Sequence, residues 1–238
     1  QKQEGFIVRF NSQGVLEWAT MFGGNGNEVI YGIACDQKNN VYITGLTLSS
    51  DSFPLLKHNA SGYFQNTEYG SQVGFVAGFN VNTQLIWSTC FGTAGSDCRN
   101  IVCDGADNII ISGVIGSTAK FPFTILPNAY NCSAPGYFIA EFYNSSKIKW
   151  CTSLQDNQYI KNICINRADQ SIMVIGSTTA ASLFQWSNYN SATPGTYFDN
   201  SYNGGDYDGF IMVFNKNRNI DWSTLYGGNG KDQITAAK

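Results

Sequence analysis

The chain has 238 residues, 43% of them hydrophobic and 14% aromatic but only 13% charged, so it can bury a sizeable core and does not read as disordered. Its formal net charge is −3 with Lys and Arg scattered, which leaves no basic stripe for nucleic acid or an acidic membrane surface, and no apolar run approaches the length of a spanning helix. Gln1 opens without a signal peptide's basic start, which suits a mature or excised segment.

From the N-terminus, the first elements are a pair of strands over 5–22, GFIVRF and then VLEWATMF, whose alternation is that of strands with one buried face. Phe6 stands four residues before Phe10, Phe10 eight before Trp18, and Trp18 two before Thr20. The same spacing returns at Phe75, Phe79, Trp87 and Thr89, at Phe138, Phe142, Trp150 and Thr152, and at Phe210, Phe214, Trp222 and Thr224. A second hairpin follows the first copy: Ile33 to Asp36, a turn of Gln37-Lys38-Asn39-Asn40, then Val41 to Gly45. Its later copies run from Ile101 to Gly113 and from Ile163 to Gly176, with Asp36, Asp104 and Asn166 expected to cap the turns. Phe53, Phe121 and Phe184 each follow a closing Gly by eight residues and are expected in the core.

Four such strands form one antiparallel unit that cannot hide both faces, so copies must stack on one another, and radial stacking gives a β-propeller. The fold class is therefore all-β, a propeller of four-stranded blades. The phase predicts whole blades at 29–91, 97–154 and 159–226, a partial blade at 5–22 and the start of another at 231–238. Because the final ring would be one strand short, the remaining blades are expected in a longer polypeptide; the alternative is an open or oligomer-completed assembly. The insertions at 46–73, 114–136 and 177–208 all follow a second strand and are expected to decorate one face.

The runs Ala192-Thr193-Pro194-Gly195-Thr196-Tyr197, Tyr202-Asn203-Gly204-Gly205, Asp208-Gly209-Phe210 and Trp222-Ser223-Thr224-Leu225-Tyr226-Gly227-Gly228 resemble the bacterial β-propeller repeat family SBBP, named for seven-bladed propellers. That resemblance implies a large secreted or surface-anchored bacterial protein, often exported by the type IX system and joined to adhesion-type modules. It brings no catalytic motif.

Function is expected in the aperiodic loop aromatics. Trp186, Tyr189, Tyr207, Tyr63 and Tyr130 are the candidate ligand-binding residues, because a rigid ring with a polar tip gains contact area at low entropic cost. The partner would be a protein or a glycan on the loop face, and the expected role is a non-catalytic extracellular interaction module. A carbohydrate-binding or carbohydrate-active propeller is the alternative. No cofactor is expected. Calcium is the one cation that Asp206, Asp208, Glu28, Asp97 and Asp232 would suit, although turn-forming carboxylates in Gly-rich loops explain them as well. His58 is the only histidine, which leaves little for a zinc site or a histidine-based triad. Of the seven Cys, Cys35 and Cys103 are expected as core thiols, and Cys98 and Cys132 as loop residues open to oxidation.

Overall fold

A computed structural model describes residues 2–66, 72–144, 146–155, 157–179 and 197–237. The first sheet has two strands, β1 (Gly5–Phe10) and β2 (Leu16–Phe22). Three four-stranded antiparallel sheets follow, each in simple sequential order. They are β3 (Glu28–Cys35), β4 (Val41–Thr47), β5 (Val73–Phe79) and β6 (Leu85–Phe91); β7 (Asp97–Cys103), β8 (Ile109–Ile115), β9 (Gly136–Phe142) and β10 (Ile148–Ser153); and β11 (Gln158–Ile165), β12 (Ile172–Thr178), β13 (Asp208–Phe214) and β14 (Ile220–Tyr226). The fold is a β-propeller array.

The turns are set by the residues that open them. The Asp36 carboxylate accepts from the Lys38 and Asn40 amides at 2.9 and 2.8 Å, and Asp104 repeats this with Ala106 and Asn108 at 2.7 and 2.8 Å. Asn166 keeps one such bond, from the Ala168 amide at 3.0 Å. Capping of this kind lets Asn39, Asp107 and Gln170 sit in the left-handed region, at φ 61°, 62° and 61°. At the β1–β2 turn Gly14 occupies that region, whereas Thr83, Ser146 and Arg218 hold it in the later sheets.

The core lies between sheets rather than within one, because each sheet is apolar on both sides. Ile7, Phe22, Phe53, Phe75 and Phe79 fill the first junction. Trp87, Phe91, Phe121, Phe138 and Phe142 fill the second. Trp150, Leu154, Ile172, Phe210 and Phe214 fill the third. The periodic Phe and Trp residues from Phe75 to Phe214 are thus junction residues, and Phe53 and Phe121 are each 6% exposed; Phe184 lies outside the described residues.

Two expectations need correction. Cys35 is exposed, because β3 turns alternate residues toward an open inner surface, while Cys103 is buried. Cys98 is not in a loop but wholly buried in β7, since that strand already begins at Asp97. Residues 231–237 form no strand. The Asp232 amide donates to Tyr207 O at 2.9 Å as the Glu28 amide donates to Gln3 O at 3.0 Å, so the segment follows the course that opens β3, but no strand pairs with it.

Candidate functional site

The insertions begin at the end of the sheets where the second strands finish, and then fold back along the outermost strands. Leu56 and Ser88 exchange backbone hydrogen bonds at 2.9 and 2.8 Å, and Thr124 and Cys151 do so at 3.0 Å. Below these, the hydroxyls of Thr89, Thr152 and Thr224 each accept at 2.8 Å from an insertion amide, of Gln65, Cys132 and Asp199 respectively. This explains the periodic Thr and covers edges that would otherwise be free to pair with another chain. The segments are edge covers as well as face decoration.

Tyr63 and Tyr130 belong to this fastening. The Trp87 and Trp150 indoles donate to their carbonyls at 3.3 and 2.9 Å. Their own amides donate to Ser146 O and Arg218 O in the next sheet, both at 2.9 Å. The Tyr63 ring packs 5.6 Å from Phe91, and Tyr130 packs 5.8 Å from Phe214. Both rings therefore point into the junctions, and desolvation by burial, then Cys132, raises the pKa of the Tyr130 phenol well above its ordinary range. Tyr197 stands in the corresponding place, 5.8 Å from Tyr226.

Tyr207 is placed differently. Its ring meets Tyr159 edge to face at 6.0 Å and 87°, and Tyr159 meets Tyr137 at 5.8 Å and 72°. The Arg99 guanidinium lies 5.6 Å from the Tyr137 ring centroid and donates to the Tyr137 hydroxyl at 3.1 Å. Asp97 holds that guanidinium from behind through contacts of 3.0 and 3.1 Å. All three rings are half-buried and stand at or just before the starts of β9, β11 and β13, on the insertion-bearing end. They form one amphipathic row across two sheets, capped by a cation. Sequence reasoning found Tyr207 and missed Arg99, Tyr137 and Tyr159, whose row exists only once neighbouring sheets are stacked. Trp186 and Tyr189 lie outside the described residues.

Residues 17–54 match the family model for SBBP, described as a β-propeller repeat. Over that stretch the chain is similar to the SBBP repeat. The matched stretch runs from β2 through the Asp36-capped turn to the start of the first insertion, so it spans one junction between sheets rather than one sheet. No curated protein matches the chain.

The carboxylates of the loops and turns are bound locally. Glu28 is 2% exposed and accepts from Thr47 Oγ1 at 2.7 Å, Ser49 Oγ at 2.5 Å and the Gly24 amide at 3.1 Å. Asp97 serves Arg99 and the Val114 amide. Asp206 pairs with Lys231, and Asp232 accepts from the Gly228 amide at 2.8 Å. Asp208 accepts from the Asn203 amide at 2.9 Å, while its second oxygen is buried without a partner. Among the described residues no three His, Cys, Asp or Glu side chains converge as a metal ion would need. On the inner side, β3, β7 and β11 line an open concavity of about 660 Å³ that exposes Tyr31, Ile33 and Cys35.

Proposed function

We propose that this chain is a non-catalytic propeller module that binds a partner through the Arg99–Tyr137–Tyr159–Tyr207 row, within a larger secreted or surface protein of a bacterium. The row carries the reading. It is a stretch of half-buried aromatic surface with hydroxyl tips and a fixed cation, and such surfaces anchor partners because little entropy is lost on contact. Tyr63 and Tyr130 are engaged in packing, and the carboxylates are engaged in turns and ion pairs, which favours a scaffold over an acid–base pair. Adhesion is the role that the SBBP resemblance suggests.

The second reading is a glycan ligand, which the same row favours, since tyrosine faces and an Arg–Asp pair suit the apolar faces and hydroxyls of sugars. A glycan array run beside a reducing-sugar release assay separates the readings. Release of sugar would overturn the non-catalytic reading; binding without release favours a glycan-binding module; neither binding nor release favours a protein partner.

A further inference from the structure

The chain holds three Asn–Gly steps, at Asn25, Asn203 and Asn229. Such a step can modify itself, because glycine has no side chain to shield its amide nitrogen. That nitrogen attacks the asparagine Cγ. The new C–N bond closes a cyclic imide, the Cγ–Nδ2 bond breaks, and ammonia leaves with the proton of the glycine amide. Solvent water then opens the imide at either carbonyl, giving aspartate or, with one extra backbone methylene, isoaspartate.

The first two steps differ in what surrounds them. Asn25 is clamped on both sides of the reacting bond. Its Oδ1 accepts from the Ser50 and Asp51 amides at 3.0 and 3.3 Å, and its Nδ2 donates to Ser50 Oγ at 3.2 Å. The Gly26 amide is occupied by Ser49 Oγ at 2.8 Å, and a Cβ on Gly26 would overlap the Leu48–Ser49 backbone, so this glycine has no room to swing toward Asn25. Asn203 is exposed, and its Nδ2 donates only at 3.2 to 3.4 Å, to Ser201 O, Asp199 Oδ2 and Gly227 O. The Gly204 amide has no partner among the described residues. Gly204 stands at φ 104° with nothing within 4 Å of the place a Cβ would take.

We propose that Asn203–Gly204 is a self-modifying step whose conversion resets the loop carrying Tyr207. Asn203 ties that loop together. Its backbone amide donates to Asp208 Oδ2 at 2.9 Å, and its side-chain amide faces Asp199, whose own amide is fixed on Thr224 Oγ1 at 2.8 Å. Conversion replaces the donating Nδ2 by a carboxylate oxygen that repels Asp199. The isoaspartate form also lengthens the backbone between Asp199 and Asp208. Tyr207 lies inside that span, so its ring loses the placement that sets it 6.0 Å from Tyr159. The consequence for binding rests on the reading of the tyrosine row as a binding surface; the modification itself does not.

Prolonged incubation of the folded chain at mildly alkaline pH, followed by peptide mass spectrometry and enzymatic methylation of isoaspartate, tests the step. Asn203 should convert about tenfold faster than Asn25, the factor that one retained hydrogen bond on the attacking amide accounts for. In urea the two rates should converge, because the clamp on Asn25 is gone. Hydrogen exchange in the peptide carrying Tyr207 should quicken in the aged wild-type chain and stay constant in aged Asn203→Gln, whose longer side chain closes the ring poorly. An Asn203 that stays intact, or equal rates at Asn25 and Asn203 in the folded chain, would overturn the modification. Conversion with unchanged exchange around Tyr207 would overturn its effect on the loop. Neither readout uses a ligand, so failure here and failure of the binding row are told apart.

Discussion

Arg218 in the β13–β14 turn and Glu141 in β9 form a fully buried ion pair between neighbouring sheets, with Nε 2.7 Å from Oε2 and Nη2 2.8 Å from Oε1. Lys149 adds a third contact to the same carboxylate at 2.9 Å, and the remaining Arg218 amine donates to Gln170 O and Asn215 O. The pair is satisfied on both sides, so its cost appears only when one partner is removed. Arg218→Met should destabilise the chain by up to about 3 kcal/mol, because the Glu141 charge stays buried with Lys149 as its one remaining ionic partner. Adding Glu141→Leu should restore much of that loss. Urea unfolding of the single and double variants checks the coupling.

Thr83 is β-branched yet sits at φ 68°, where the first sheet places Gly14 at φ 76°. A left-handed conformation strains such a residue. Thr83→Gly should therefore leave stability unchanged or raise it, by up to about 1 kcal/mol. The opposite change, Gly14→Thr, should lower it, as thermal melts would show.

Four of the seven thiols are buried: Cys90, Cys98, Cys103 and Cys151. Burial, followed by the charge of Asp36, pushes the Cys103 thiol from its ordinary 9.0 up to about 12. Mass spectrometry after brief alkylation at mildly alkaline pH should find Cys35, Cys132 and Cys164 modified and the other four protected until the chain unfolds. The raised value also fixes a sign. Cys103 contributes stability in full below pH 9, and that contribution is lost as pH rises toward about 12, because the unfolded chain releases its proton first.

Asp107 works in the opposite direction. The Gln37 amide at 3.0 Å, and after it the Lys38 ammonium at 3.1 Å, hold its carboxyl below the usual range and tie the turns of neighbouring sheets together. Its contribution is present above the ordinary value of 3.8 and is lost as pH falls through the lowered one. Asp107→Asn should flatten the acid side of a stability–pH curve relative to wild type.

Much of the architecture was legible because strands three and four carry a gap-free spacing, so Phe75, Phe79 and Trp87 announce their roles by register alone. The Asp36 and Asp104 caps were legible too, since a short side chain in a four-residue turn has few other uses. The fastening role of Tyr63 and Tyr130 was hidden by insertions of unequal length: Trp87 follows its tyrosine by 24 residues and Trp150 by 20. What they share is the amide two residues on, bonded to a periodic Thr. The candidate site was less visible, because Arg99, Tyr137 and Tyr159 come from different strands of different sheets, and only their stacking makes a surface of them.

The most direct test of the central claim is ligand binding by Tyr159→Ala, since Tyr159 joins the two halves of the row. A ligand captured by the wild-type chain should be lost by this variant and weakened by Tyr207→Ala, with circular dichroism unchanged. Undiminished binding by a folded Tyr159→Ala chain would contradict the assignment of the row as the binding surface.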